Sequence, residues 1–186
     1  MFARTERLVL RPGWADDAPA LARALNDASI ARMLAHLPWP YGPDDADAFL
    51  AQPFTPAAPQ LLIFLRTAGE PRLIGGIGLT PHGDMAELGY WIAAPYWGLG
   101  FATEAGRAVV AAARHSLRWR GLIARHFIDN PASGHVLRKL GFDQAGSARP
   151  MFSAARGAEA LAVTYHADFE CTEMTTRMAT PPRLAA

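Results

Sequence analysis

Ala86-Glu87-Leu88-Gly89-Tyr90-Trp91-Ile92, then Ala93-Ala94-Pro95-Tyr96-Trp97, then Gly98-Leu99-Gly100-Phe101-Ala102-Thr103-Glu104-Ala105: this run decides the fold. Its first seven residues read as a strand, the glycines as a tight turn, and the small-residue run to Val110 as the start of a helix. A glycine turn that opens a helix leaves backbone N–H groups with no intrahelical partner, at the positive end of the helix dipole. Such a terminus is an anion site suited to phosphate. The stretch therefore predicts a nucleotide-like cofactor whose pyrophosphate sits at this turn.

Working outward, Arg7–Arg11 alternates as a first strand and stops at Pro12. Asp16 and Asp17 cap a helix carrying Leu21 and Leu25, and a second short helix covers Ala28–Ala35. His36–Pro43 holds three prolines and two bulky aromatics and reads as a loop. Asp44–Gln52 is a further short helix. Leu61–Thr67, Leu73–Thr80 and Met85–Ile92 make an antiparallel meander, with Pro81-His82-Gly83-Asp84 as its second turn. Glycines at 75, 76 and 78 point to a bulge or close backbone approach. A helix from Gly100 to about Leu117, a strand Leu122–Ile128, a helix capped by Asn130 and ending at Gly141, and two strands (Gln144–Phe152, Ala158–Phe169) complete the order. The fold class is α+β, a mixed and mostly antiparallel central sheet flanked by helices. Residues 1–170 read as one domain and 171–186 as a flexible tail.

The chain has 186 residues and a formal net charge of +1, which gives no general preference for nucleic acid or an anionic membrane. One cysteine, Cys171, forms no internal disulfide. The N-terminus lacks an apolar signal core, and no apolar run approaches a membrane span. These features read as a cytoplasmic protein. The six histidines show no metal-ligand spacing, so no metal is expected. The aromatic edge of the final strands would permit a homodimer.

The glycines alone leave a structural turn open as a reading. A dinucleotide fingerprint would need a third glycine at 103, where Thr103 stands. A triphosphate loop would need a lysine after the glycines, and none follows. A different likeness covers roughly residues 5–169. Tyr96–Ala105 resembles the coenzyme A pyrophosphate loop of the GNAT acyltransferase superfamily. Asn130-Pro131-Ala132-Ser133, with Lys139-Leu140-Gly141-Phe142 following, resembles its second signature. Thr5–Pro12 resembles the opening strand of its ribosomal-protein-alanine N-acetyltransferase branch.

The resemblance implies the GNAT fold and acetyl-CoA as cosubstrate, lying where the strand ending at Ile92 splays from Leu122–Ile128. Pantetheine would bond along Trp91, Ile92 and Ala93, and the pyrophosphate would take N–H bonds from Gly98, Leu99, Gly100, Phe101, Ala102 and Thr103. A backbone N–H near Trp91 would face the developing oxyanion. A primary amine would attack the thioester directly in a ternary complex. Glu87 resembles a strand carboxylate used as general base, with a salt-bridge role as the alternative. Ser133 corresponds to a serine linked to the thiolate or to coenzyme A binding, with an ordinary helix hydroxyl as the alternative. Asn130 serves as coenzyme contact, as N-cap, or as both.

Three positions depart from the superfamily pattern. Pro95 has no N–H to give, Leu99 stands where a basic residue is common, and Leu137 stands where many members carry an acidic tyrosine. Trp39, Tyr41 and His82, with Glu87, are candidates for acceptor contact, against a packing role for the two aromatics. The branch's best-known acceptor is a protein N-terminus. A small amine, an aminoglycoside or a polyamine is the alternative, and a non-catalytic acyl-CoA sensor is a third reading.

Overall fold

A computed structural model describes residues 1–169; the tail expected over 171–186, and Cys171 with it, lie outside the described residues. The chain opens with β1 (Ala3–Arg4) and β2 (Leu8–Arg11), then α1 (Ala18–Leu25), α2 (Ala28–Ala31) and α3 (Pro43–Leu50). The meander is β3 (Gln60–Leu65), β4 (Arg72–His82) and β5 (Met85–Ile92). After it come α4 (Phe101–His115), β6 (Gly121–Phe127), α5 (Pro131–Lys139), β7 (Asp143–Ser153) and β8 (Ala158–Asp168).

All the strands join one eight-stranded sheet in the order β1-β2-β3-β4-β5-β6-β8-β7. The β5–β6 pair is parallel and the others are antiparallel. This is the mixed, mostly antiparallel α+β sheet that the order of elements predicts.

The pleat divides the core in two. On one face, Leu8, Leu10, Ile77, Leu79, Ala86, Leu88 and Ile92 pack under Phe101, Ala105, Val109 and Ala113 of α4 and Leu137 of α5. Small residues on α4 let that helix lie close to the sheet. On the other face, Leu62 and Phe64 pack under α1 (Leu21, Leu25), Ile30 and Ala46, with Trp91 beside them. Gly76 lies beneath the Trp91 indole, where a Cβ would stand 2.5 Å from Nε1. That is the close approach its strand glycines foretell.

Some boundaries differ from expectation. α2 stops at Ala31 rather than Ala35, because the chain beyond it is tied to the β7–β8 hairpin. There Ala154 N–H donates to Ala35 O at 2.8 Å, and the Arg156 guanidinium donates to Arg32 O at 2.7 Å and 2.9 Å. Pro81 and His82 belong to β4, so Gly83 (φ +64°) and Asp84 alone make the turn. β7 is an edge strand, which accommodates Pro150 and leaves Phe152 exposed.

Candidate active site

β5 pairs with β4 along its whole length, from His82–Met85 to Gly75–Ile92. With β6 it pairs only at Ala86–Leu122 and Glu87–Ile123. Beyond Glu87 the two strands part. Ala93 N–H donates to Ile74 O of β4 at 2.8 Å. By the alternation of an antiparallel ladder, the backbone groups of Trp91 also face β4, while those of Tyr90 and Ile92 face the splay. Ile92 O accepts the Trp97 indole N–H at 2.6 Å. The Tyr90 N–H and C=O and the Ile92 N–H thus line the opening with no β6 partner. The N–H groups at Trp91 and Ala93 are engaged within the sheet, so of the three positions expected to meet pantetheine, 91, 92 and 93, Ile92 is the one whose N–H faces the splay, beside the backbone of Tyr90.

At the open end of β5 lies the glycine loop. Gly98 (φ +75°) and Gly100 (φ +83°) adopt left-handed backbone, and Gly100 is the N-cap of α4. A β-carbon is disfavoured there by about 1–2 kcal/mol. The loop is braced from the far end of the chain. Glu104, in the first turn of α4, accepts from the Thr5 hydroxyl at 2.6 Å, from Arg7 N–H at 2.9 Å and from Arg7 Nε at 2.7 Å. Arg7 Nη1 donates to Leu99 O at 3.1 Å, and its guanidinium covers the Phe101 ring at 4.4 Å. Burial pushes the Glu104 carboxyl up, but the bonds from Thr5 and Arg7 outweigh it and hold the group below the usual glutamate range.

Side chains of β5 alternate across the sheet, so Glu87 and Tyr90 point to opposite faces. Glu87 lies on the α1–α3 side and is held in a two-pronged ion pair by Arg125 of β6, with Nε donating to Oε1 at 3.0 Å and Nη2 to Oε2. Its carboxylate raises the Arg125 guanidinium pKa. Tyr90 lies on the α4–α5 side. Its hydroxyl meets Ser133 Oγ at 2.7 Å, and burial pushes the phenol up to about 12 against the counter-pull of that bond.

Asn130 caps α5, its Oδ1 accepting Ser133 N–H at 3.3 Å, which leaves its side-chain amide N–H groups for another partner. Gly134 lets the first turn of α5 rest on His126, since a Cβ there would stand 2.7 Å from Nε2. His126 Nδ1 donates to Phe127 O at 2.8 Å; Nε2 is the buried side-chain polar atom left without a partner among the described residues.

These residues fit a thioester cofactor with a pyrophosphate. The loop offers helix-terminal N–H groups over two left-handed glycines, and the splay offers strand N–H and C=O groups that no strand uses. Comparison with known proteins decides which. Residues 7–143 match the model of the acetyltransferase (GNAT) domain. The chain belongs to the GNAT acetyltransferase family. It is thus an acetyl-CoA-dependent acetyltransferase. An uncharacterized N-acetyltransferase of Bacillus subtilis, YoaA, is 31% identical over 157 residues, covering 78% of this chain and 84% of that protein. A GNAT-family acetyltransferase structure from Bacillus anthracis superposes with a TM-score of 0.76 at 21% identity, covering 90% of this chain and 98% of its own. The ribosomal-protein-S5-alanine acetyltransferase of Vibrio fischeri does so with a TM-score of 0.75 at 17% identity, covering 91% and 97%.

The remaining expected residues of this acetyltransferase are spread out. Tyr41 is buried against α1 and α3, its phenol pushed up to about 12 by burial and the Asp45 charge, so its ring packs the core rather than lining a cleft. Trp39 stays exposed on the loop before it. His82 is exposed at the end of β4, five strand positions from Glu87 in sequence but paired with Met85 at the hairpin tip. Leu137 is fully buried. Sequence reading missed Tyr90, Arg7, Glu104, Arg125 and the Trp97 indole as parts of the site. Their partners lie 43, 97 and 38 residues away for Tyr90, Arg7 and Arg125. Among the described residues there is no cluster of three His, Cys, Asp or Glu that could hold a metal, and no helix long and apolar enough to cross a membrane.

Proposed function

We propose that this acetyltransferase transfers the acetyl group to a primary amine by direct attack in a ternary complex, that the amine is a protein or peptide N-terminus, and that it works in the cytoplasm. One observation carries the reading: β5 presents Glu87 on one face of the sheet and the Tyr90–Ser133 pair on the other, with unpaired backbone between them. The amine adds to the thioester carbonyl and the thiolate is then expelled, so a carboxylate on the attacking side and hydroxyls on the leaving side serve the two halves of the reaction. Acetyl-CoA supplies the acetyl group already activated as a thioester. The N–H groups of residues 98–103 receive its pyrophosphate, and the Tyr90 and Ile92 backbone receives the pantetheine amides. Of these groups the Tyr90 N–H, nearest Glu87, faces the charge that develops on the carbonyl oxygen, and the Tyr90 C=O and Ile92 N–H are left for the pantetheine. Ser133 and the Asn130 amide stand at the thiol end.

Glu87 drains the amine proton, directly or through water. Each oxygen of that carboxylate already accepts a bond from Arg125, which leaves less room for the proton of an amine. An N-terminal amine, with a pKa of about 8, asks little of it, whereas an alkylamine near about 10.4 is neutral several-hundred-fold less often. The Arg125 charge also offsets that of Glu87, which lessens its pull on a polycation. Both points favour an N-terminus over a polyamine or aminoglycoside.

The test measures coenzyme A release from acetyl-CoA against a panel of N-terminal peptides, polyamines and aminoglycosides. Turnover on peptides above the other amines is expected. Turnover on the small amines alone overturns the acceptor assignment. Tight binding of acetyl-CoA without turnover on any amine identifies a sensor instead.

A further inference from the structure

Thr80 of β4 stands directly across from Glu87 of β5, so their side chains share the α1–α3 face about 5 Å apart. Thr80 also lines a cavity of about 290 Å³ on the far side of β4. Phe49 and Leu50 of α3, with Pro53 and Phe54 after it, form its apolar wall, and Thr80 and Gln60 are polar groups at its edge. Phe54 is 48% exposed there. An aromatic ring left half in water at the wall of a hollow is surface that a ligand can cover.

Between the hollow and the splay the sheet is bare. Gly78 and Gly89 face each other on β4 and β5, two positions along from the Thr80–Glu87 pair. A Cβ on Gly89 would meet nothing within 4 Å. Over Gly78 lies the Gln60 carboxamide, and a Cβ on Gly78 would collide with its Oε1. Gln60 Nε2 donates to Leu79 O at 2.8 Å. A carbonyl can only accept, so that bond fixes which way the amide is turned and leaves Oε1 over Gly78 as an acceptor.

We propose that the hollow is the subsite for the side chain of the acceptor's first residue, and that the side chain it takes is large and apolar, of the size of leucine, methionine or phenylalanine. This rests on the reading of Glu87 as base and of a peptide N-terminus as acceptor. An amine beside Glu87 at the mouth of the splay sits over Gly89, and its Cα lies over the glycine strip. Neighbouring strands are about 4.8 Å apart, and the hollow begins at Thr80 and Gln60, one and two strands from β5. The side chain of alanine or serine ends one or two atoms beyond Cα and stops short of it. A side chain of four or more heavy atoms passes Thr80 and reaches Phe49 and Phe54. Gln60 Oε1 gives the same path an acceptor for an N–H of the substrate. Each methylene removed from water is worth about fourfold in binding, and less in a hollow open to solvent.

The experiment uses peptides identical except for the first residue, which is alanine, serine, leucine, methionine or phenylalanine, and measures initial rates of coenzyme A release. Wild type should show kcat/KM about 20-fold higher for the three large apolar residues than for alanine, carried mostly by KM. Phe54→Ala should reduce that ratio to about fivefold, and Phe54→Leu should hold it within about twofold of wild type. The ratio is taken within one protein, so a partly unfolded variant does not move it. A wild type that prefers alanine or serine, or that treats all five alike, overturns the proposal and leaves the peptide reading standing. A ratio that survives Phe54→Ala also overturns it. Turnover of polyamines or aminoglycosides with none on any peptide overturns the acceptor reading, and this inference with it.

Discussion

The two ends of the splay are built from different materials. The glycine loop, the proposed cofactor end, offers backbone to a ligand. Its donors are amides, its shape comes from left-handed glycines at 98 and 100, and its side chains brace the loop from outside. The proposed acceptor face is built from side-chain charge. Glu87 is locked to Arg125, and Asp129 is shared by Arg32 and Arg156. Burial pushes the Asp129 carboxyl up, and the two guanidiniums outweigh it and hold the group below its usual range. Backbone recognition constrains where glycine must stand and little else. Side-chain recognition can be rewritten by single substitutions. On the proposed reading the cofactor end is thus the general part of the molecule, and the acceptor end the part that sets its particular reaction.

Substitutions at each end should therefore fail in different parameters. The largest effect is expected from Glu87→Gln. It keeps the shape and one of the two bonds from Arg125 but removes the proposed base. Steady-state kinetics should show kcat lower by about 100-fold, with acetyl-CoA affinity unchanged. Equal loss in both parameters would erase the division between the two ends.

Gly100→Val forces a branched side chain into φ +83° and displaces the first N–H groups of α4. Calorimetric titration should show acetyl-CoA affinity about tenfold weaker. Arg7 Nη2 lies 3.6 Å from where the new Cβ would sit, so crowding adds little to that figure.

Glu104→Gln tests the brace. Loss of the charged contacts to Thr5 and Arg7 should cost about 1–2 kcal/mol, reduced from the full value because Arg7 is partly exposed. The sign with pH follows from the depressed carboxyl. Its contribution is fully present above the ordinary value of 4.5 and is lost as pH falls through the lower native value. Melting temperature against pH should show this acid limb in wild type and a flatter one in Glu104→Gln.

Arg156→Ala should have the smallest effect on the cofactor. It frees the hairpin from Arg32 O and Asp129. Acceptor KM should rise about threefold while acetyl-CoA affinity holds, as measured by initial rates at saturating acetyl-CoA.

How much of this the sequence discloses follows the same division. The strand–glycine–helix run from Ala86 to Ala105 is contiguous, so local pattern finds it. The cap of α5 is legible for the same reason, with Asn130 and Ser133 three residues apart. The Arg7–Glu104 brace is not, because the partners meet only once β2 and α4 share a face of the sheet. Tyr90 was hidden differently. It sits inside a strand pattern where an aromatic is ordinary filling, and only its contact with a helix further along the chain singles it out. Tyr41 shows the converse. A proline-rich loop suggests a surface aromatic, yet tertiary packing draws the ring into the α1–α3 core. β1, at two residues, is too short to carry a pattern at all.

The central claim is that the splay and the glycine loop together hold acetyl-CoA, with chemistry on both faces of β5. Isothermal titration of acetyl-CoA into wild type, Gly100→Val and Glu87→Gln tests it most directly. The account predicts one-to-one binding in wild type, the same affinity in Glu87→Gln and about tenfold weaker binding in Gly100→Val. Undiminished binding in Gly100→Val, or none in wild type, would contradict it.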